Sequence, residues 1–157
     1  MEMSSNRVIS APRHQVWEAL NDPETLKRCI AGCDKIEATG DDRYDVAIAI
    51  KIGPVSAKFK GAMTLKDIVP DHSYLIDFEG QGGLAGFAKG SAAVQLVTVD
   101  EGTDLRYQAQ AKVGGKLAQL GSRLIDSSAK KMADDFFKRF VMLFEEQSAE
   151  TEQKGAV

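Results

Sequence analysis

Two cysteines, Cys29 and Cys33, and two histidines, His14 and His72, are the only thiol and imidazole groups in the 157-residue sequence. A zinc site needs four clustered ligands, or three and a water. The cysteines stand four apart with no histidine near them in sequence, and the Gly32-Cys33 step breaks any helix there. They read as buried or half-buried thiols, with a redox pair or half a metal site as the weaker alternative. His14 falls beside Trp17 in an amphipathic stretch and His72 follows Pro70-Asp71 in a turn, and neither reads as catalytic. Asp67 has the inward register of a strand but sits near its end, where a bulge can release it. Asp126 falls on the outer face of a helix and Arg123 on its shoulder. Catalysis needs a base or nucleophile held in a pocket by an orienting partner. No such pair stands out, and no G-x-S-x-G, P-loop or dinucleotide-binding glycine motif is present. No catalytic residue and no metal ligand is assigned.

The composition is that of an ordinary globular domain, with 43% hydrophobic and 27% charged residues. A chain of this size buries about two-thirds of its surface and needs no disulfide or structural metal. The net charge of −3 argues against a nucleic-acid partner, which calls for a dominant basic field. No apolar run reaches the ~18 residues that would cross a bilayer, and no signal-peptide pattern opens the chain. The default expectation is a cytoplasmic protein.

The elements that would position any functional groups follow from the period of the apolar residues. A short strand is expected at Arg7–Ser10, a helix after Ala11-Pro12 that ends at Asn21-Asp22-Pro23, a second helix at Glu24–Cys29 and a weak strand at Lys35–Thr39. From Tyr44 the period becomes two. Tyr44, Val46, Ile48, Ile50 and Ile52 alternate with Asp45, Ala47, Ala49 and Lys51, and after Gly53-Pro54 the alternation resumes from Val55 to Lys66. Further strands are expected at Tyr74–Gly80, Gly86–Val99 and Leu105–Val113, forming a curved antiparallel meander of about seven strands. One continuous helix is expected from about Lys116 to Glu146, roughly 45 Å long. Its stripe runs through Leu117, Gly121, Leu124, Ser128, Met132, Phe136, Phe140 and Leu143. On its outer side, Asp126–Lys130, Asp134–Lys138 and Asp135–Arg139 are spaced to pair along the helix. Later in the helix, Phe137, Val141 and Phe144 leave the stripe, and are expected to extend the core or cover the N-terminal helices, with an exposed apolar strip for a partner or membrane surface as the alternative. The fold class is α+β, a single domain over residues 1–147 whose sheet grips its terminal helix, followed by a polar tail, 148–157, expected to be disordered.

The alternation places small residues inward: Gly61, Gly80, Ala88, Gly90, Ala92, Ala109 and Ala111, among Phe59, Met63, Phe78 and Tyr107. The opposing helix stripe adds Gly121 and Ser128. Undersized residues on both walls leave two outcomes: a cavity, or a solid core that uses glycine for sheet curvature. A curved sheet cannot follow a straight helix along its length, which favours the cavity. The candidate walls are Phe59, Met63, Phe78, Phe87, Tyr107, Leu117, Leu120 and Leu124, with Gly114 and Gly115 as a candidate hinge at the mouth.

Several runs carry a family resemblance: Phe87–Ser91, Val113–Asp126 with its Gly114-Gly115-Lys116-Leu117 start, Ala129–Asp134 with Phe136-Phe137, and Lys51–Val55 followed by Phe59-Lys60-Gly61. Together with Cys29-Ile30-Ala31-Gly32-Cys33, which has alanine where proline is usual, they resemble the CoxG subunit of carbon monoxide dehydrogenase over roughly residues 2–145. The resemblance implies the START-like helix-grip fold shared by polyketide cyclases and Bet v 1. It further implies a non-catalytic accessory role for an aerobic carbon monoxide dehydrogenase or related molybdenum hydroxylase. In that role the protein would hold a menaquinone-type isoprenoid lipid and link the enzyme to the membrane quinone pool at the inner face of the cytoplasmic membrane. Longer members carry a hydrophobic C-terminal segment, which this sequence lacks, so the membrane contact expected here is peripheral. Lys58, Lys60 and Lys66, on one outer sheet face, either meet anionic lipid or are simply a solvated strand face. The alternatives are an aromatase/cyclase-like enzyme and a ligand-free assembly factor.

Overall fold

The computed structural model describes the backbone of residues 1–155 and the side chains of residues 1–145. Seven strands run in chain order as β1 Glu2–Ile9, β2 Cys33–Gly40, β3 Arg43–Ile52, β4 Val55–Val69, β5 Ser73–Gln81, β6 Phe87–Val99 and β7 Gly102–Gly114. They form one antiparallel sheet in the order β1-β7-β6-β5-β4-β3-β2. Helices α1 Arg13–Leu20 and α2 Pro23–Cys29 lie between β1 and β2, and α3 Lys116–Gln119 and α4 Ser122–Gly155 follow β7. The α+β helix-grip arrangement expected from the sequence is therefore the fold, with longer strands than the pattern alone outlines; β1 begins at Glu2 rather than Arg7.

One element differs. The expected continuous terminal helix is broken, and α3 and α4 are separated by Leu120-Gly121. Gly121 has φ +88, which a helix cannot contain and an L-residue rarely adopts. The helical spacing of Leu117, Leu124 and Ser128 runs through this break, so periodicity alone does not reveal it. The expected tail, 148–157, lies outside the residues whose side chains are described; its backbone continues α4 through Gly155.

Pairing register fixes the two faces of the sheet, since successive residues point to opposite sides. Across the sheet run the rows Gly61–Gly80–Ala88–Val113, Met63–Phe78–Gly90–Ala111 and Leu65–Ile76–Ala92–Ala109. Apart from Leu65, Ile76 and Val113, the residues of these rows are among those expected to face inward. Asp67, at φ +50, sits in the irregularity between Lys66 and Val69 and is exposed, released from the inner face near the strand end.

The buried residues divide into two clusters. One gathers Ile9, Val16, Leu20, Cys29, Leu96 and Leu105 around Phe137, Phe140 and Phe144 of α4. Phe137 and Phe144 thus cover the N-terminal helices and the strand ends behind them. The other cluster joins Phe59, Ala85, Leu117 and Ile125 at the opposite end. Cys29 is fully buried and Cys33 half-buried, both unpaired, and burial raises both thiol pKa values, as suits inert thiols. On the outside, Lys58 pairs with Asp34 at 3.8 Å and Lys66 with Asp77, which accounts for two of the three outer lysines.

His14 ties α1 to the turn between β4 and β5. Its Nδ1 lies 2.8 Å from Asp71 and its Nε2 2.9 Å from Glu18. The hydrogen bond to Asp71, and then the charges of Asp71 and Glu18, raise its pKa above the usual value. A raised folded-state pKa contributes stability that is complete below the unfolded value of about 6.5 and is lost as pH rises through the folded value. The melting-temperature gap between wild type and His14→Gln should therefore be largest near pH 6 and close at more alkaline pH. Thermal melts across that range check it, and a gap independent of pH would contradict it.

Candidate functional site

Between the two clusters, the concave face of the sheet carries apolar residues that are neither buried nor fully exposed: Val46, Ile48, Met63, Phe78 and Ala92. Opposite them, α4 presents the half-buried Leu124, Ser128 and Ala129 and then Met132, which is 38% exposed. The backbone of α4 approaches the sheet at β1 and β3, toward its two flanks, and approaches α2 beyond. The helix thus bridges the curved sheet while small residues line the middle strands beneath it. This half-accessible apolar surface between the two clusters is the candidate ligand surface.

Not every small residue serves that space. A Cβ at Gly61 would collide with the Glu79 carbonyl, and one at Gly90 with the Gln110 carbonyl. These two glycines permit close strand approach, which is the curvature role. Phe78 also leans over Gly90, its Cζ 2.7 Å from where a Cβ would be, and fills part of the gap. Gly80, in contrast, meets nothing nearer than 3.8 Å, and Ala88, Ala92, Ala109 and Ala111 stay half-accessible. Curvature and open space share the small residues between them.

The predicted wall residues fall into three groups. Met63 and Phe78 lie half-buried on the concave face, and Leu124, also half-buried, lies by the β3–β4 turn, its Cδ2 3.2 Å from where a Cβ on Gly53 would be. Phe59 and Leu117 are buried in the cluster that closes one end, with Leu120 packed against it. Tyr107 stacks on Phe137 at 5.1 Å, at the edge of the other cluster. Phe87 is a correction. It is 47% exposed and pairs across strands with Gly114, on the face opposite Ala88 and Gly90, and its ring covers Gly114. Odd-numbered positions of β6 point away from α4, so Phe87 lines no interior.

Gly114 and Gly115 join β7 to α3. Gly115 has φ +71, and a Cβ there would lie 2.5 Å from the Gly86 Cα; a Cβ on Gly86 would in turn strike the Gly114 carbonyl. The glycines expected as a hinge are thus pressed backbone to backbone against the β5–β6 loop, and any movement of this junction must carry both segments.

One polar group at the interior rim is not evident from the sequence. Arg7 shares its face of β1 with Ser5, paired opposite Tyr107. The Arg7 guanidinium stands 5.7 Å above the Phe137 ring and 4.0 Å from Asp134 of α4. The Tyr107 phenol, held above its usual pKa by burial, stays protonated and able to donate. Helical spacing pairs Asp134 with Lys138, but in the fold it turns toward Arg7 instead. Tyr107, Ser5, Arg7 and Asp134 make a polar rim at one end of an apolar floor, suited to a ligand with a polar head and a hydrocarbon tail. Shallow depressions also mark the outer face, one around Asn6, Ser73, Gln95 and Arg106, on the side of the sheet away from α4. Among the described residues, no group of three acidic, histidine or cysteine side chains is placed to hold a metal, and no helix is long and apolar enough to cross a membrane.

Among solved structures, the fold is similar to a conserved protein from Geobacillus kaustophilus at 32% identity and a TM-score of 0.87, over 93% of this chain and 96% of that one. It is also similar to the Zhui aromatase/cyclase from Streptomyces sp. R1128 at 12% identity and a TM-score of 0.65, over 94% and 95% of the chains. Ara h 8.0201 matches at 14% identity and a TM-score of 0.62, over 93% and 98%. The last two likenesses show the fold alone. No curated protein is a significant match. The sequence matches the family profile of the carbon monoxide dehydrogenase CoxG subunit over residues 6–142. With that match spanning the concave face and the glycine junction at Gly114-Gly115, the chain belongs to the CoxG family of carbon monoxide dehydrogenase subunits.

Proposed function

We propose that this protein is a non-catalytic carrier of a long apolar ligand, an isoprenoid quinone of the menaquinone type, held between the sheet and α4. It serves a molybdenum hydroxylase of the carbon monoxide dehydrogenase kind by linking that enzyme to the membrane quinone pool. The observation that supports the reading is the half-accessible apolar floor of Val46, Ile48, Met63, Phe78 and Ala92, left between two closed clusters. An empty apolar interior costs about 24 cal/mol per Å³ of void, so such a space favours an occupant. The rim of Tyr107, Ser5 and Arg7 offers hydrogen-bond donors to a quinone carbonyl, while the floor takes the prenyl tail. Family membership supports the accessory role and the hydroxylase partner.

Leu124 tests where the ligand sits. It lies at the start of α4, half-buried, 3.2 Å from the place a Cβ on Gly53 would occupy. A tryptophan there narrows the space under the helix from the β3–β4 end. Calorimetric titration with a short-chain menaquinone analogue should show Leu124→Trp binding at least about tenfold more weakly than wild type, two displaced methylenes at ~0.8 kcal/mol each being enough. Equal affinity would place the ligand elsewhere.

A further inference from the structure

We infer that Tyr74 is a second polar anchor of the interior, its phenol donating a hydrogen bond to a ring carbonyl of the bound molecule while Tyr107 serves another from the rim. The inference rests on the carrier reading and narrows the ligand to a ring with two carbonyl acceptors, as against a plain hydrocarbon or a fatty acid. The chain has three tyrosines, and strand register turns all of them to the concave face. Tyr74 pairs with Val94, Val94 with Tyr107, and Tyr107 with Ser5, one row across β5, β6, β7 and β1. Tyr74 and Tyr107 therefore stand two strands, about 10 Å, apart on one side of the sheet. Tyr44 heads the row that continues through Met63 and Phe78. Both Tyr44 and Tyr107 pack against the buried cluster to which Tyr74 belongs. Phenylalanine would fill these positions as well, so it is the hydroxyls that call for a reason.

Tyr74 is the one whose hydroxyl the fold does not use. The residue is 5% exposed, and its ring meets Trp17 of α1 edge-on at 5.3 Å. Tyr107 has the Ser5 hydroxyl as a partner. Among the described residues the Tyr74 hydroxyl makes no hydrogen bond, yet no buried side-chain oxygen there is left both sealed and unpartnered. That hydroxyl therefore keeps an opening, and the pleat places Tyr74 on the side of the sheet that faces α4. Burial, and then the neighbouring Tyr44, hold its pKa well above the usual phenol value, so it stays protonated and can donate. A donor in apolar surroundings costs free energy until it meets an acceptor. A hydrocarbon offers none and leaves the phenol unpaired. A fatty-acid carboxylate would enter without a free cation, since Arg7 already faces Asp134 at 4.0 Å. A neutral carbonyl satisfies the phenol and carries no charge into the interior. Two carbonyls on one flat ring suit two donors on one face of the sheet, with the prenyl tail running on toward Leu124.

Calorimetric titration of wild type and Tyr74→Phe with two probes tests it: the short-chain menaquinone analogue, and a naphthalene carrying the same prenyl chain but no carbonyl. Tyr74→Phe should bind the analogue about fivefold more weakly, the loss of one hydrogen bond, and the prenylnaphthalene as well as wild type does or better. Tyr107→Phe should show a selective loss of the same kind. Without a probe, Tyr74→Phe should melt at or above wild type, because the hydroxyl it lacks has no partner in the fold. A purely structural role for Tyr74 would instead lower the melting temperature and weaken both probes alike, and that result overturns the inference. So does an unchanged affinity for the analogue. Either outcome leaves the carrier reading standing as long as wild type binds the analogue. Wild type that binds neither probe would end that reading and this inference with it.

Discussion

An Ala92→Phe variant is expected to bind the menaquinone analogue at least about a hundredfold more weakly than wild type while melting at the same temperature or higher. Ala92 sits mid-row on the concave face, between Ile76 and Ala109, and is half-accessible under α4. A phenyl ring there occupies the volume of roughly four ligand methylenes, and ~0.8 kcal/mol for each gives about 3 kcal/mol, a factor of more than a hundred. The direction of the stability change separates the open interior from its alternative. In a packed core the added ring would force side chains off their rotamers and cost about 1–3 kcal/mol. In an unfilled one it covers apolar surface already in place. Calorimetric titration and thermal melts on the same preparation check both halves. A strongly destabilised variant would mean that the interior is already full.

Phe140→Ala carries the largest expected loss of stability. Phe140 is fully buried, stacked on Phe136 at 5.6 Å and edge-on to Phe144 at 5.1 Å. It is where α4 meets Ile9, Val16, Leu96 and Leu105. Truncating a buried phenylalanine costs ~3–5 kcal/mol, which in a domain of this size lowers the melting temperature by roughly 10 °C or more. The folded variant should keep the tail contacts near Leu124, and any loss of analogue affinity should come from Tyr107, which packs at the edge of this cluster. A loss below about 1 kcal/mol in chemical denaturation would show that α4 is held by something other than this aromatic cluster.

These two variants divide the chain as the sequence already divides it. Strict alternation from Tyr44 through Lys66 settles which residues of β3 and β4 face inward, and one buried face needs that pattern. The same rule applied to β6 puts Ala88, Gly90 and Ala92 inward and therefore Phe87 outward. An aromatic side chain is tempting as a cavity wall, but the pleat decides its side. The break at Gly121 is hidden because an apolar stripe continues across it, and only the positive φ reveals it. The shared use of small residues is also invisible in sequence. Gly61 and Gly90 yield to carbonyls of neighbouring strands, while Gly80 and the alanines face space, and only three-dimensional register tells them apart. The Arg7–Asp134 pairing depends on how distant segments meet, and no local spacing encodes it.

The carrier reading is tested most directly by what the protein brings out of the cell. Protein purified without detergent should yield, on organic extraction and mass spectrometry, an isoprenoid quinone at close to one per chain, and Ala92→Phe should yield almost none. Wild type that gives up no quinone, and takes none from a saturating menaquinone solution, would contradict the account.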